Sequence, residues 1–162
     1  MAGAYLDTGP LLDHLVLMYF ASVGGDYELI RLPAQCKRIV RWLTTAPVRK
    51  AFRNELDRLR PLRTSAGVAV EIHRRVRSYP SLHHATLWDQ TKRVWGELSL
   101  EELVYPLPSL DAVSIASLGM VDEQLIQLCK RDDAYLVSGD EPLRGRAQHA
   151  EVMFMSPEEL IR

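Results

Sequence analysis

The sequence predicts an α/β fold, a three-layer α/β/α arrangement around a short and mainly parallel central sheet. Three observations predict it. Short apolar runs suited to buried strands (Ala4–Leu6, Leu103–Tyr105 and Ala134–Val137) alternate with longer segments of helical period. Two of those runs end at acids: Asp7 comes directly after the first, and the last gives way to Ser138-Gly139-Asp140. The 162 residues carry no repeat, no low-complexity stretch and no long linker, which predicts one domain over 1–162.

After Asp7, Thr8-Gly9-Pro10 supplies a turn and a helix start, with Pro suited to the first helical turn. Leu11–Val23 reads as a helix apolar on most sides, hence buried, and Gly24-Gly25-Asp26 ends it. Extra helices occupy 34–60, two of them, broken near Pro47. The second presents Val48, Phe52, Leu56 and Leu59 on one face. Pro61-Leu62-Arg63-Thr64 is a short extended piece. Ser65 caps a helix from 66 to about 77 with Val68, Ile72 and Val76 as its core stripe. A helix is expected over 82–98, a strand over Glu102–Pro106, and a Ser109-led helix broken by Gly119. The next helix, about 120–131, turns Val121, Leu125 and Leu128 inward. Val152–Phe154 reads as the last strand, and Ser156-Pro157-Glu158-Glu159 has the chemistry of a helix N-terminus.

Cys36 and Cys129 lie outside any C-x-x-C pair and have no His at zinc-ligand spacing, so free, buried thiols of a reducing, cytoplasmic environment are expected. Leu15–Val23 is uncharged but shorter than a membrane span and has no basic leader before it, so no membrane partner is expected. No phosphate-cradling G-x-x-x-x-G-K-[ST] loop and no G-x-S-x-G elbow occurs.

The formal net charge is −1, which taken whole argues against a nucleic-acid partner. It conceals two opposite blocks: residues 31–77 sum to +10 and the remainder to −11. Within the acidic part and at the end of the basic block, four acids fall where a parallel sheet would gather them. Asp7 and Asp140 come after strands, Asp122 lies in the first turn of a helix, and Glu71 lies about two turns into one. Strand ends and the helix starts after them share the carboxyl edge of the sheet, where ligands of such folds bind. Packed carboxylates repel one another unless a divalent cation neutralises them, and an all-oxygen donor set favours Mg2+ or Mn2+ over zinc. Each acid also has an ordinary reading. Asp7 and Asp140 can be turn or cap residues, Asp122 can complement a helix dipole, and Glu71 can pair with Arg75 one turn on. The conjunction of the four carries the functional reading.

These segments resemble those of PIN-domain nucleases. Tyr5-Leu6-Asp7-Thr8-Gly9 resembles the family's opening L-D-T-S strand, and Val68-Ala69-Val70-Glu71-Ile72 its Glu-bearing helix. Leu118-Gly119-Met120-Val121-Asp122 resembles its L-G-L-T-D segment, and Leu136-Val137-Ser138-Gly139-Asp140 its strand ending L-L-T-G-D. The chain departs from the pattern at Gly9, where Ser is usual, and at Val121, where Thr is usual, leaving Thr8 and Ser138 as supporting hydroxyls.

The resemblance implies a metal-dependent endoribonuclease. Asp7, Glu71, Asp122 and Asp140 would hold Mg2+ or Mn2+, and a metal-activated water would open the phosphodiester to 5′-phosphate and 3′-hydroxyl ends. It also implies an RNA substrate, a VapC-like toxin role with an antitoxin protein as partner, and a homodimer. Arg49, Arg53, Arg60, Arg74, Arg75 and Arg144 are the candidate backbone contacts, or else members of a solvated face. Arg144 and Arg146 alternatively pair with Glu141 and Glu151. Trp42, Trp88 and Trp95 stack on bases or pack in the core. Two other readings compete. A phosphatase with an aspartyl-phosphate would need a second Asp where Gly9 stands, and a catalytically inactive PIN-like module would bind nucleic acid or protein without cutting.

Overall fold

The computed structural model describes residues 3–23, 45–77, 89, 92–94, 96, 102–103 and 112–162. Strand β1 (Ala4–Leu6) is followed by helix α1 (Thr8–Val23), helix α2 (Ala46–Arg58), β2 (Leu62–Ser65) and α3 (Ala66–Val76). Then come β3 (Glu102–Leu103), α4 (Ala112–Leu118), α5 (Met120–Asp132), β4 (Tyr135–Val137), α6 (Glu141–His149), β5 (Phe154–Met155) and a short 3-10 helix, Glu159–Ile161. The expected helix of 34–44, the Ser109 cap and most of the 82–98 helix lie outside the described residues, as do Cys36 and the three tryptophans; residues 92–94 are helical.

The sheet runs β3-β2-β1-β4-β5 and every pairing in it is parallel. Four strands form its body, and the two-residue β3 extends it beyond β2. A central strand of a parallel sheet is covered on both faces and so is apolar throughout. Ala4, Tyr5 and Leu6 are accordingly all fully buried. Register aligns the carboxyl ends of the two central strands. Leu6 pairs with Val137, so they end level and Asp7 N–H bonds the Val137 carbonyl at 3.1 Å. The chain leaves β1 toward β2 on one side and returns from β3 to β4 on the other, so the junction of β1 and β4 is the point where the winding reverses.

Helix α1 begins at Thr8 rather than Leu11, because the Asp7 carbonyl already accepts Leu11 N–H at 3.1 Å. Its residues Leu11 to Leu17 are buried, Asp13 and His14 among them. Ser65 caps α3 as expected, its hydroxyl accepting Val68 N–H at 3.2 Å. Helix α2 starts at Ala46 with Pro47 in its first turn, so Pro47 opens this helix and Phe52 and Leu56 anchor it in the core. It packs against the 3-10 helix. Helix α5 lies against β1, β2 and β4 and also touches α3, α4 and α6.

Two glycines matter to this arrangement. Gly119 separates α4 from α5 at φ +103°, a conformation that side chains oppose. Gly67 lets α3 approach α5: a Cβ there would stand 2.7 Å from Val121 Cγ2. Gly67→Ala is therefore expected to destabilise the fold by about 1–3 kcal/mol, as overpacked sites do. Val121→Ala should restore most of that loss, and denaturant titration of the single and double variants checks it.

The C-terminal boundary differs from expectation. The last strand is Phe154–Met155 instead of Val152–Phe154, because Val152 N–H closes the end of α6 on the Ala147 carbonyl at 2.9 Å. Ser156 and Glu159 do form the reciprocal capping pair, at 2.7 and 3.2 Å, but a single 3-10 turn comes after it. Cys129 is buried and free, its thiol donating to the Tyr135 carbonyl at 3.7 Å. Among the described residues no helix is long and apolar enough to cross a membrane.

Candidate functional site

The ends of β1 and β4 present Asp7 and Ser138 side by side. Asp7 is fixed at both oxygens: Oδ1 accepts Thr8 N–H at 2.5 Å and Oδ2 accepts the Ser138 hydroxyl at 2.6 Å. Ser138 is fully buried and turns its oxygen back to accept Asp140 N–H at 3.0 Å. Thr8, also buried, donates its hydroxyl to Glu71 Oε2 at 2.5 Å, drawing α3 to the start of α1. The two hydroxyls singled out in the sequence thus each hold one of the acids.

Asp140 is the N-cap of α6, its Oδ1 accepting Leu143 N–H at 2.9 Å. The ordinary reading of Asp140 therefore holds, and its position beside β4 holds with it. Asp122 lies in the first turn of α5. The starts of α1, α3, α5 and α6 all meet at this edge, and their dipoles supply positive potential to the carboxylates there.

Two of the four acids, Asp7 and Asp122, feel the charges of the others. Burial pushes the Asp7 carboxyl above its ordinary range, and Glu71 and Asp140 push it further, against the Ser138 and Thr8 hydrogen bonds that pull it down. Burial likewise raises Asp122, to about 7, with Asp7, Asp140 and Glu71 all adding to the effect. The neighbouring charges that act most on these two groups are all carboxylates. Among the described residues, even so, no three His, Cys, Asp or Glu side chains stand in metal-holding geometry. The Asp7 and Glu71 oxygens are engaged by hydroxyl and amide donors instead.

The arginines are placed differently. Arg74 and Arg75 are exposed in the last turn of α3, three and four residues after Glu71. Arg53 is exposed on α2 and Arg49 half-buried there. Arg60 pairs with Asp57 at 2.9 Å. Arg144, one turn into α6, lies over the Phe154 ring and 4.0 Å from Glu159. Arg63, part of the basic block, is committed elsewhere, to Asp132 at 3.1 Å. Arg146, for which pairing with Glu141 and Glu151 is one of the two readings from sequence, pairs with Glu123 at 3.4 Å. Glu123 is fully buried and also accepts Gln127 Nε2 at 2.6 Å. The Glu123–Gln127 spacing of one helical turn was visible in the sequence, whereas the partner on α6 was not.

The two positions at which the chain departs from the pattern it resembles have different surroundings. The Val121 methyl groups stand against Gly67, where α3 approaches α5. Gly9 is exposed and a Cβ there would meet nothing within 4 Å, so a serine would fit.

Fold and site together define an α/β protein with a parallel sheet and an acidic cluster at its carboxyl edge. Comparison of the chain with models of protein families, with characterised proteins and with solved structures found no match.

Proposed function

We propose that this chain is a PIN-like, Mg2+- or Mn2+-dependent endoribonuclease, with the three-layer arrangement of that fold. The observation that carries the reading is the gathering of Asp7, Glu71, Asp122 and Asp140, from four separate segments, into one coupled set where the sheet reverses its winding. Ligands of parallel α/β sheets bind at such points. The donor chemistry fits a hard cation: all-oxygen, anionic, and at an edge ringed by helix starts. Such an ion supplies charge neutralisation to the phosphodiester and a hydroxide nucleophile at neutral pH.

The chain's own residues would perform the rest. Ser138 and Thr8 hold Asp7 and Glu71 by hydrogen bonds that a bound ion would share or replace. Exposed Arg144, one turn from Asp140, would be a candidate contact for a phosphate of the strand. Arg49, Arg53, Arg74 and Arg75 extend the positive surface further from the edge.

The test is cleavage of single-stranded RNA, with single-stranded DNA alongside, in Mg2+ or Mn2+ and in EDTA. Cleavage of RNA that stops in EDTA is the expected result. Cleavage indifferent to EDTA would sink the reading. No cleavage, with no heat of Mn2+ binding by calorimetry, would favour an inactive binding module.

A further inference from the structure

We propose that the ion pair of buried Glu123 with partly exposed Arg146 is a positioning device that sets the separation of Asp122 from Asp140. This rests on the reading of those two acids as metal ligands. Glu123 stands next to Asp122 in the first turn of α5, and Arg146 lies in the α6 helix that Asp140 caps. The pair therefore joins the two elements that carry the two acids, through Arg146 Nε and Glu123 Oε2 at 3.4 Å.

A carboxylate with no exposed surface is costly unless it is paired and hydrogen-bonded. Glu123 satisfies that condition with Arg146 on one oxygen and Gln127 on the other, the latter at 2.6 Å. Its position in the fold is thereby fixed, and α6 is tied to it. Asp140 and Asp122, in contrast, repel each other. Repulsion drives the start of α6 away from the start of α5, and the neighbouring ion pair opposes that movement.

The experiment is calorimetric titration of Mn2+ into the whole chain as wild type, Glu123→Gln, Arg146→Gln and Arg146→Lys, with melting curves in EDTA. Partners that orient metal ligands typically contribute about 10–100-fold to metal affinity. Arg146→Gln and Glu123→Gln are expected to weaken Mn2+ binding by at least about tenfold. Arg146→Lys, which keeps the charge, should recover most of it. Should Glu123→Gln fail to fold, the Arg146 pair of variants decides alone, since that side chain is partly exposed. A lower melting temperature with an unchanged Mn2+ affinity in Arg146→Gln would overturn the positioning role and leave the metal reading intact. A wild type that binds no Mn2+ would overturn both.

Discussion

Asp7→Asn is expected to abolish metal-dependent cleavage while making the metal-free protein more stable. The two effects share one cause. Asp7 is a buried carboxyl whose ionised form is disfavoured by burial and by the charges of Glu71 and Asp140. Asparagine keeps the shape and a carbonyl oxygen for Thr8 N–H, and removes the charge. The Ser138 hydroxyl can rotate to accept from the new amide. At about pH 7.5 in EDTA the variant is expected to melt above the wild type, and the difference should shrink as the pH falls and the native carboxyl takes up its proton. Cleavage in Mn2+ should fall by a factor on the order of 10^3, because a carboxylate central to the set is lost. Calorimetric melting and a fluorescent RNA assay on the same preparations check both. A variant that melts lower than the wild type at that higher pH would show that the acids are not in conflict.

Mn2+ affinity is expected to climb with pH up to about 7 and then level off. Asp122 is raised to about 7, so below that value a metal must displace its proton. One proton released per metal weakens apparent affinity by about tenfold for each pH unit below 7. The metal-free protein should show the opposite trend in stability. A carboxyl raised on folding binds its proton more tightly in the native state, so its contribution is fully present below the unfolded value near 3.8 and is lost as pH rises through about 7. With screening of a half-exposed group, the loss between pH 4 and 8 is about 1–2 kcal/mol. Asp132 acts in the other direction at lower pH. Its Arg131 hydrogen bond holds it down at about 2, so its contribution is lost as pH falls from 3.8 through 2. Melting in EDTA should therefore be best near pH 4–5 and should become nearly independent of pH at saturating Mn2+. A metal-free melting temperature that rises from pH 5 to 8 would contradict the coupling of the four acids.

Much of the site was legible because its residues sit at punctuation points of the chain. Asp7 and Asp140 come after apolar runs, Ser65 and Ser156 have cap spacing, and Glu71 borders an apolar stripe. Each signal is local, and a parallel sheet brings such points to one edge without further instruction. What was not legible depends on geometry between elements. Val121 reads as a core residue in either register, and only the structure shows that it lies where a side chain on Gly67 would be. Arg146 has acids near it in sequence, yet its partner lies on α5. Strands of two or three residues are too short for alternation to fix their ends, so β5 begins two residues later than its apolar run suggests. The +10 of residues 31–77 gave the sign of the charge but not its direction. Arg58, Arg60 and Arg63 spend theirs on Glu55, Asp57 and Asp132.

The hydroxyl of Ser138 reaches Asp7 across 131 residues of sequence, and that of Thr8 reaches Glu71 across 63. The first strand is the middle of the sheet, so its neighbours on the two sides come from opposite halves of the polypeptide. No contiguous fragment short of Asp7 through Asp140 holds all four acids. Proteolytic clipping or premature termination before Tyr135 would leave β1 with one bare flank and Asp7 without its serine. A chain being synthesised cannot complete the cluster until Asp140 has emerged.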